Sequence, residues 1–329
     1  MNVRPYAAAD ADLWDGLVAD SPMGTFLHTR RFLGYHGERF TDVSLVLTEE
    51  HGRPVGVFPA ALDPDNAKTV ISHPGSTFGG LVHGEGISAS ETGEMLKCVT
   101  EHYRGIGMAE LVYRTVPVHL TAKPCFTDHY ALWRAAGRLY RRDLWNVIDL
   151  SMPRKVRMAR LRQRRMRRAV AAGLTVELEP SDGAYREFHT ILTGNLGDRH
   201  HVSPVHTPAE MMLLRDLFPD QIRLWIVRDA QARALSGGWF FLHGTRAWHA
   251  QYISTTPAGR DLSANDRLIE TVLDAARLAG VRYFSFGAST EQEGQILNAG
   301  LFDYKASFGF GSVVQDFFRL DLEASHGRP

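Results

Sequence analysis

The chain reads Phe-Ser-Phe-Gly-Ala-Ser-Thr-Glu over residues 284–291 and Leu-Asn-Ala-Gly-Leu-Phe-Asp-Tyr-Lys-Ala-Ser-Phe-Gly over residues 297–309. The apolar pattern predicts a strand over residues 282–286. Thr290, with Glu293 three residues later, predicts the capped start of a short helix. A strand, a glycine turn and a helix in this order indicate an α/β domain.

The helix predicted just before this stretch has a clear apolar period. Ser263, with Asp266 three residues later, predicts a capping box at its start, and Gly280 predicts its end. The residues expected on its buried face are Leu268, Ile269, Val272, Leu273 and Ala276. Their spacing of three and four residues predicts a helix that packs against a sheet.

Two halves of the chain show a similar order of predicted elements. In the first half, strands are predicted over residues 43–48, 55–62 and 110–114, and a helix over residues 89–103. In the second half, strands are predicted over residues 174–179, 222–227, 235–242 and 247–254, and helices over residues 182–196 and 208–217. The 329 residues exceed what one core usually covers, so we expect an α/β protein (α+β mixed sheets) with domains at residues 1–150 and 151–329.

Composition excludes several classes of protein. Hydrophobic residues make up 44% and charged residues 22% of the chain, which excludes wholesale disorder. No apolar run approaches the roughly 18 residues of a membrane-spanning helix, and the first residues lack the apolar stretch of a secretion signal. Two cysteines, Cys98 and Cys125, are too few for a disulfide scaffold and too far apart for a paired metal knuckle. A cytoplasmic protein is expected.

The formal net charge is zero, with 37 basic and 37 acidic side chains, but the charges are unevenly placed. Acidic residues do not occur between Leu150 and Val176, whereas nine cations lie in a predicted basic helix over residues 154–172 that Gly173 ends. These cations are Arg154, Lys155, Arg157, Arg160, Arg162, Arg164, Arg165, Arg167 and Arg168. Val156, Ala159, Met166 and Val170 form its predicted apolar stripe. One concentrated cationic segment predicts a local anionic partner.

The two C-terminal stretches resemble the closing segment of Fem-type (FemABX-like) aminoacyl and peptidyl transferases and related GNAT-superfamily N-acyltransferases. That group ends in a Phe-Gly strand and a Phe/Tyr-Lys-x-x-Phe-Gly motif. Residues 72–75, 78–80, 199–206 and 251–253 also look like the group. The resemblance implies two tandem GNAT-like domains facing across a cleft, with residues 1–150 on the acceptor side and residues 151–329 on the donor side. It also implies amide-forming acyl transfer.

Acyl transfer to an amine passes through a tetrahedral oxyanion, which requires a nearby donor or cation. Lys305 matches the lysine of the family motif, so the resemblance implies a catalytic lysine near the acyl carbonyl or the tRNA acceptor end. The alternative for Lys305 is a surface lysine in an ion pair. Tyr304 is a candidate to pack on the terminal adenine or, alternatively, a core aromatic residue.

The segment over residues 199–206 combines Arg199 with three histidines. Its spacing lacks the His-x-x-x-His pattern and has no cysteine or glutamate ligand, so no metal site is predicted. His200 and His206 are instead candidates to bind a carboxylate or phosphate or to accept a proton, and His200 is the one grouped with the catalytic candidates. Alternatively, these histidines bind loop carbonyls.

Other polar residues are weaker candidates for contact with substrate. They are Gln251 and Tyr252 at a strand end, Glu291 and Asn298 around the last short helix, and Ser72, His73 and Arg114 on the acceptor side. Tyr252 is grouped with Lys305 and His200 as a catalytic candidate. As alternatives, Glu291 stabilises the first turn of the last helix, and Asn298 is its C-cap.

The donor is either an aminoacyl-tRNA or an acyl-coenzyme A thioester, and no resident cofactor is predicted. Residues 257–264 occupy the position of the coenzyme A diphosphate cradle, Arg/Gln-x-x-Gly-x-Gly/Ala. Ser263 replaces a required glycine and Asp261 adds negative charge, so this loop matches the cradle poorly. The basic helix favours the phosphates of tRNA, and an anionic membrane surface is the rival partner.

The leading hypothesis is therefore an aminoacyl-tRNA-dependent transferase that acts on the amine of a small metabolite, a peptide or a cell-wall precursor. The alternatives are an acyl-coenzyme A N-acyltransferase acting on an amino sugar or metabolite amine, and a non-catalytic module that binds RNA or a membrane surface. Neither cysteine lies in a matching motif and no Gly-x-Ser-x-Gly elbow occurs, so no covalent enzyme intermediate is predicted.

Overall fold

The computed structural model describes residues 1–153, 159–200 and 204–323, apart from the side chains of residues 196–200. The chain divides into two compact units built from discontinuous segments, whereas the predicted division is a single point near residue 150. Unit 1 comprises Met1–Leu144, Thr290–Ile296 and Val314–Pro329, and unit 2 comprises Trp145–Ser289 and Leu297–Val313. Within the described ranges, no helix combines the length and apolarity needed to cross a membrane.

Unit 1 combines helices with two groups of strands. Its helices are α1 (Ala11–Asp20), α2 (Arg30–Gly34), α3 (Ala89–Gly105) and α4 (Thr127–Arg134). Its strands are β1 (Asn2–Pro5), β2 (Leu45–Thr48), β3 (Pro54–Phe58), β4 (Ala61–Asp63), β5 (Asn66–Ile71), β6 (Val82–His83) and β7 (Glu110–Arg114). Strands β1-β2-β3-β6 form an antiparallel sheet, and β4-β5-β7 pair in that order.

Unit 2 contains most of the described elements that follow residue 144. Strand β8 (Arg138–Asp149) leads into it from unit 1. Its other elements are α5 (Arg160–Ala171), β9 (Thr175–Leu178), α6 (Asp182–His200), α7 (Pro208–Leu217), β10 (Ile222–Arg228), β11 (Ala234–His243), β12 (Ala247–Thr255), α8 (Pro257–Asp261), α9 (Ala264–Leu278), β13 (Tyr283–Ala288) and α10 (Ala299–Ala306). Three further strands are divided between the units. Strand β14 (Thr290–Glu291) belongs to unit 1, and β15 (Ile296–Leu297) and β16 (Ser312–Asp321) each have residues in both units.

The sheet of unit 2 has the strand order β8-β13-β12-β11-β10-β9. Strands β12 and β13 form its one parallel pair among the described strands, and the other neighbours are antiparallel. Helix α9 packs on this sheet through the predicted stripe, since Leu268, Ile269, Val272 and Leu273 are fully buried. Gly280 adopts a φ of +72° after the helix, which a glycine tolerates best. The predicted stripe and its end are confirmed.

The predicted capping box of α9 is wrong. Ser263 has a left-handed φ of +60° and makes no side-chain cap. The carboxylate of Asp266 instead binds the Arg162 guanidinium, 3.0 Å away. A partner 104 residues distant in sequence thus outcompetes the local cap.

The predicted helix after Thr290 is also wrong. Thr290 belongs to β14, and both Gln292 and Glu293 have positive φ values, of +47° and +53°. Two successive left-handed residues cannot continue a right-handed helix. The helix begins later, at Ala299, where the Asn298 side chain accepts a hydrogen bond from the Leu301 N–H at 2.9 Å.

Candidate active site

The site lies in unit 2 where two parallel strands part. Strands β12 and β13 pair only from Ala247–Tyr283 to His249–Ser285, although both strands continue beyond that point. Past the last pair, a cavity of about 1060 Å³ opens. Its polar lining includes Arg162, Arg165, Arg168, Gln251, Tyr252, Arg260, Asp261, Asn265, Asp266, Asn298, Tyr304 and Lys305.

A β-bulge on β12 presents residues to this cavity. In the pairing of β11 with β12, Trp239 faces Tyr252 and Phe240 faces Ala250, so Gln251 has no opposite residue. An extra residue of this kind bends a strand and redirects its side chains. Gln251 and Tyr252 consequently both line the cavity.

Lys305 is buried in the cavity wall with its ammonium bound to carbonyls. Its Nζ donates to the Ala288 oxygen at 2.6 Å and to the Gly287 oxygen at 3.3 Å. Burial lowers the pKa of Lys305 to about 8. Among the described residues no carboxylate pairs with it, so the predicted alternative of a surface ion pair is excluded for this part of the chain. An ammonium has three donors, and two are used here.

His249 lies close to this ammonium and is held neutral. Burial, and then the charge of Lys305, lower its pKa to about 4, while a hydrogen bond with Gln251 opposes this shift. Its Nδ1 lies 3.2 Å from the Ser285 hydroxyl. The sequence analysis missed His249, although it is two residues from Gln251 on one predicted strand and the strand period places such residues on one face.

The hydroxyl of Tyr252 bonds to a histidine, His206. The Nδ1 of His206 lies 2.9 Å from the Tyr252 hydroxyl, and the Trp239 ring stacks on the Tyr252 ring with centroids 5.9 Å apart. Burial raises the pKa of Tyr252. Of these residues only Tyr252 lines the cavity, so His206 is placed to orient the hydroxyl of Tyr252.

The prediction that Arg162 binds RNA is wrong. Its side chain is buried, and its guanidinium binds the Asp266 carboxylate at 3.0 Å and the Ser307 hydroxyl at 2.7 Å. The same guanidinium lies over the Tyr304 ring, 4.4 Å from the centroid. One face of Tyr304 is thereby covered, and Asn265 donates to its hydroxyl, so Tyr304 is a partly buried residue of the cavity wall. Its role toward a terminal adenine stays a prediction.

The remaining cations of the basic helix divide into two groups. Arg165 and Arg168 line the cavity, and no acidic side chain pairs with either among the described residues. Arg160, Arg164 and Arg167 are exposed elsewhere on α5. The predicted apolar stripe is wrong in part, because Val170 is 50% exposed and Ala169 is the buried residue. Arg154, Lys155 and Arg157 lie outside the described residues.

Some predicted site residues cannot be compared with the structure. Arg199 and His200 belong to the last turn of α6, but their side chains lie outside what is described. In the described part of the chain, no group of three or more histidine, cysteine or acidic side chains is arranged to hold a metal ion.

Asn298 and Glu291, both predicted near the last short helix, belong to different units. Asn298 lines the cavity and is the N-cap of α10, not the predicted C-cap. Glu291 is exposed on β14 in unit 1 and so does not stabilise the first turn of that helix.

The structure brings together Ser72, His73 and Arg114 in unit 1. The Arg114 N–H donates to the Ser72 hydroxyl at 2.8 Å, and its guanidinium donates to the carbonyls of Pro74 and Ser76 at 3.0 and 2.9 Å. His73 has a φ of +64°, and burial, followed by the charge of His36, lowers its pKa to about 3. These contacts stabilise the loop; their role toward an acceptor stays a prediction.

The segment expected to cradle a diphosphate has its amides occupied. The N–H groups of Gly259, Arg260, Leu262 and Ser263 all donate to protein oxygens. A Cβ on Gly259 would lie 2.2 Å from the Leu235 oxygen, so this glycine serves packing against β11. A diphosphate held by backbone amides needs free donors, which these four do not offer.

A comparison with protein families finds one match. Residues 154–306 match the family described as an acetyltransferase (GNAT) domain. The match includes the basic helix, the parting strands β12 and β13, and Lys305. No curated protein matches the chain closely enough in sequence to count as a relative.

Solved structures share the fold over nearly the whole chain. A crystal structure of FemX is 12% identical with a TM-score of 0.69, and the match covers 98% of this chain and 97% of FemX. L-PGS from Bacillus licheniformis is 11% identical with a TM-score of 0.61, over 96% and 93% of the two chains. A tandem GNAT protein from the clavulanic acid biosynthesis pathway is 14% identical with a TM-score of 0.51, over 98% and 99%.

At these identities the likeness concerns the fold. The predicted fold class, a mixed α/β protein with tandem GNAT-like architecture, is confirmed. The predicted resemblance to Fem-type transferases agrees with the neighbours FemX and L-PGS. Residues 154–306 match an acetyltransferase (GNAT) domain, which supports an acyltransferase, and the chain has the fold of FemX and of a tandem GNAT protein.

Proposed function

We propose that this protein transfers an aminoacyl group from aminoacyl-tRNA to the amine of a small metabolite, a peptide or a cell-wall precursor. The observation that carries the proposal is one cavity lined both by a buried ammonium, Lys305, and by the guanidinium groups of Arg165 and Arg168, for which the described residues supply no acidic partner. The fold supports aminoacyl transfer in general. The choice of tRNA rests on the cations and on the occupied amides of Gly259, Arg260, Leu262 and Ser263.

Lys305 is suited to stabilise the oxyanion. Two of its three donors bind carbonyls, and the third is available to a substrate carbonyl oxygen at the cavity wall. Because Lys305 is buried, its positive charge acts more strongly than it would in solution. The amine nitrogen bonds to the acyl carbon, the ester C–O bond breaks, and the proton lost by the amine balances the proton gained by the ribose oxygen.

Tyr252 is placed to assist this proton movement. Its hydroxyl reaches the cavity and bonds to His206, so the pair can hand a proton to the leaving ribose oxygen and recover one from the amine. An aminoacyl ester is already activated, so orientation and charge stabilisation suffice without a covalent enzyme intermediate.

Arg165 and Arg168 are the proposed contacts for the phosphates near the acceptor end. They lie three residues apart on α5 and therefore project on the same side of the helix. Arg260 adds a third cation at the cavity. Each phosphate contact is expected to make binding more sensitive to salt.

An acyl-coenzyme A thioester is the second candidate donor, and the match of residues 154–306 to an acetyltransferase domain favours it. Two binding assays distinguish the two candidate donors: calorimetry with coenzyme A, and filter binding with tRNA at two salt concentrations. Tight coenzyme A binding without salt-sensitive tRNA binding would favour the thioester.

The decisive assay incubates the full chain with charged tRNA pools and pooled amine acceptors, and measures acceptor-dependent loss of the aminoacyl ester with and without RNase. Lys305→Met is expected to lower the rate at least about a hundredfold. Arg165→Gln with Arg168→Gln should weaken tRNA binding roughly tenfold or more and flatten its salt dependence.

Arg277→Gln is the matched control, because Arg277 is an exposed arginine on α9 that does not line the cavity. It should leave the rate and tRNA binding unchanged. If no charged tRNA loses its ester in a protein- and acceptor-dependent way, the proposal is wrong.

A further inference from the structure

Helix α4 in unit 1 exposes a stripe of aromatic side chains. Phe126 at its N-cap, Tyr130 and Trp133 are 53%, 57% and 67% exposed. Their spacing of four and three residues places them on one face of the helix, and the rings of Tyr130 and Trp133 lie 5.8 Å apart. The opposite face, with Ala131 and Leu132, is buried against the core. The exposed stripe is therefore not needed to hold α4 in place.

Cations continue this surface toward β8. Arg134 and Arg138 are exposed, and among the described residues neither pairs with an acid. Leu139 follows and is 41% exposed. The acid within α4, Asp128, is buried and bonded to Tyr113 and His129, so it does not neutralise the exposed face.

This combination fits the surface of a lipid bilayer. Tyrosine and tryptophan have an apolar body and a polar edge, and they favour the boundary between head groups and acyl chains. Arginine side chains beside them can reach lipid phosphates. A second copy of the chain fits less well, because a twofold contact through this stripe would bring Arg134 and Arg138 close to their own copies.

We propose that the stripe formed by Phe126, Tyr130 and Trp133, with Arg134 and Arg138, binds the surface of bilayers that contain anionic phospholipid. The aromatic rings enter the boundary of the head groups, and the guanidinium groups bind phosphates. This surface consists of residues of unit 1, whereas the cavity and the basic helix α5 consist of residues of unit 2.

Sedimentation of the full chain with vesicles tests the proposal. Vesicles of phosphatidylcholine with about one third phosphatidylglycerol should bind the protein, and vesicles of phosphatidylcholine alone should bind it much less. Tyr130→Ala with Trp133→Ala should lower partitioning roughly tenfold or more, because both side chains are exposed and their loss spares the core. Arg134→Gln with Arg138→Gln should remove most of the preference for anionic vesicles.

Two controls separate this surface from others. Leu278→Ala removes a leucine that is 91% exposed on α9 and should leave vesicle binding unchanged. Arg164→Gln with Arg167→Gln reduces the charge of α5 and should change vesicle binding little. Equal loss in these variants, or no vesicle binding by the native chain, would overturn the proposal. So would a dimer, seen by sedimentation velocity, that Trp133→Ala dissolves.

Discussion

Lys305 is a buried cation whose charge depends on pH close to neutrality. Its pKa of about 8, lowered by burial, means that the ammonium loses its proton just above physiological pH. If the ammonium stabilises the oxyanion, kcat/KM for aminoacyl transfer should fall as pH rises through about 8. Lys305→Arg, which keeps its charge to much higher pH, should move this loss to higher pH even if its rate is lower.

The acceptor amine also titrates, so both proteins must be measured with the same acceptor. If kcat/KM of Lys305→Arg falls over the same alkaline pH range as that of the native enzyme, a group other than Lys305 causes the fall. A rate that rises in the native enzyme, but not in Lys305→Arg, would instead make the neutral lysine a base.

At the scale of elements, the ion pair of Arg162 with Asp266 joins α5 to α9. Both side chains are buried, so Arg162→Ala leaves an unpaired buried carboxylate and should lower the free energy of unfolding by about 3–5 kcal/mol. Urea unfolding followed by circular dichroism measures this loss.

The exposed neighbour Arg164 is the control, and Arg164→Ala should change the free energy of unfolding by no more than about 0.5 kcal/mol. The double variant Arg162→Met with Asp266→Leu should recover much of the stability lost in Arg162→Ala. If Arg162→Ala unfolds at the native urea concentration, the pair does not hold the two helices together.

Elements with a strong local signal could be predicted from the sequence. Helix α7 and strand β7 have the predicted bounds, and α9 buries the predicted stripe. What could not be predicted depends on distant partners. The Arg162 side chain is buried because it forms an ion pair with Asp266, 104 residues later in the sequence. The bulge at Gln251 arises from the pairing of β12 with β11. The site was therefore predictable as a set of candidates, but not as a cavity.

At the scale of the molecule, buried neutral histidines make folding sensitive to acid. Burial lowers the pKa of His28 in unit 1 to about 4 and, with the charge of Lys305, that of His249 in unit 2 to about 4. The unfolded chain binds protons from about pH 6.5 downward, where the folded histidines stay neutral. Stability should therefore fall as the pH decreases from about 6.5 to about 4.

Thermal unfolding across this pH range tests the expectation. His28→Gln should reduce the loss of stability between neutral and acid pH by roughly 1–3 kcal/mol, since one pKa unit corresponds to about 1.4 kcal/mol. His51→Gln, at an exposed histidine, should leave the pH dependence unchanged. If His28→Gln loses as much stability between neutral and acid pH as the native protein does, His28 is not a source of the acid sensitivity.

The interleaved course of the chain also bears on biosynthesis. Residues 290–296 belong to unit 1, residues 297–313 return to unit 2, and the described residues from 314 onward again belong to unit 1. A ribosome must therefore synthesise residues 290–296 of unit 1 before α10, which carries Lys305, can dock onto the sheet of unit 2. A fragment that stops before residue 297 lacks α10 and Lys305, so it also lacks the cation that the proposed transfer reaction requires.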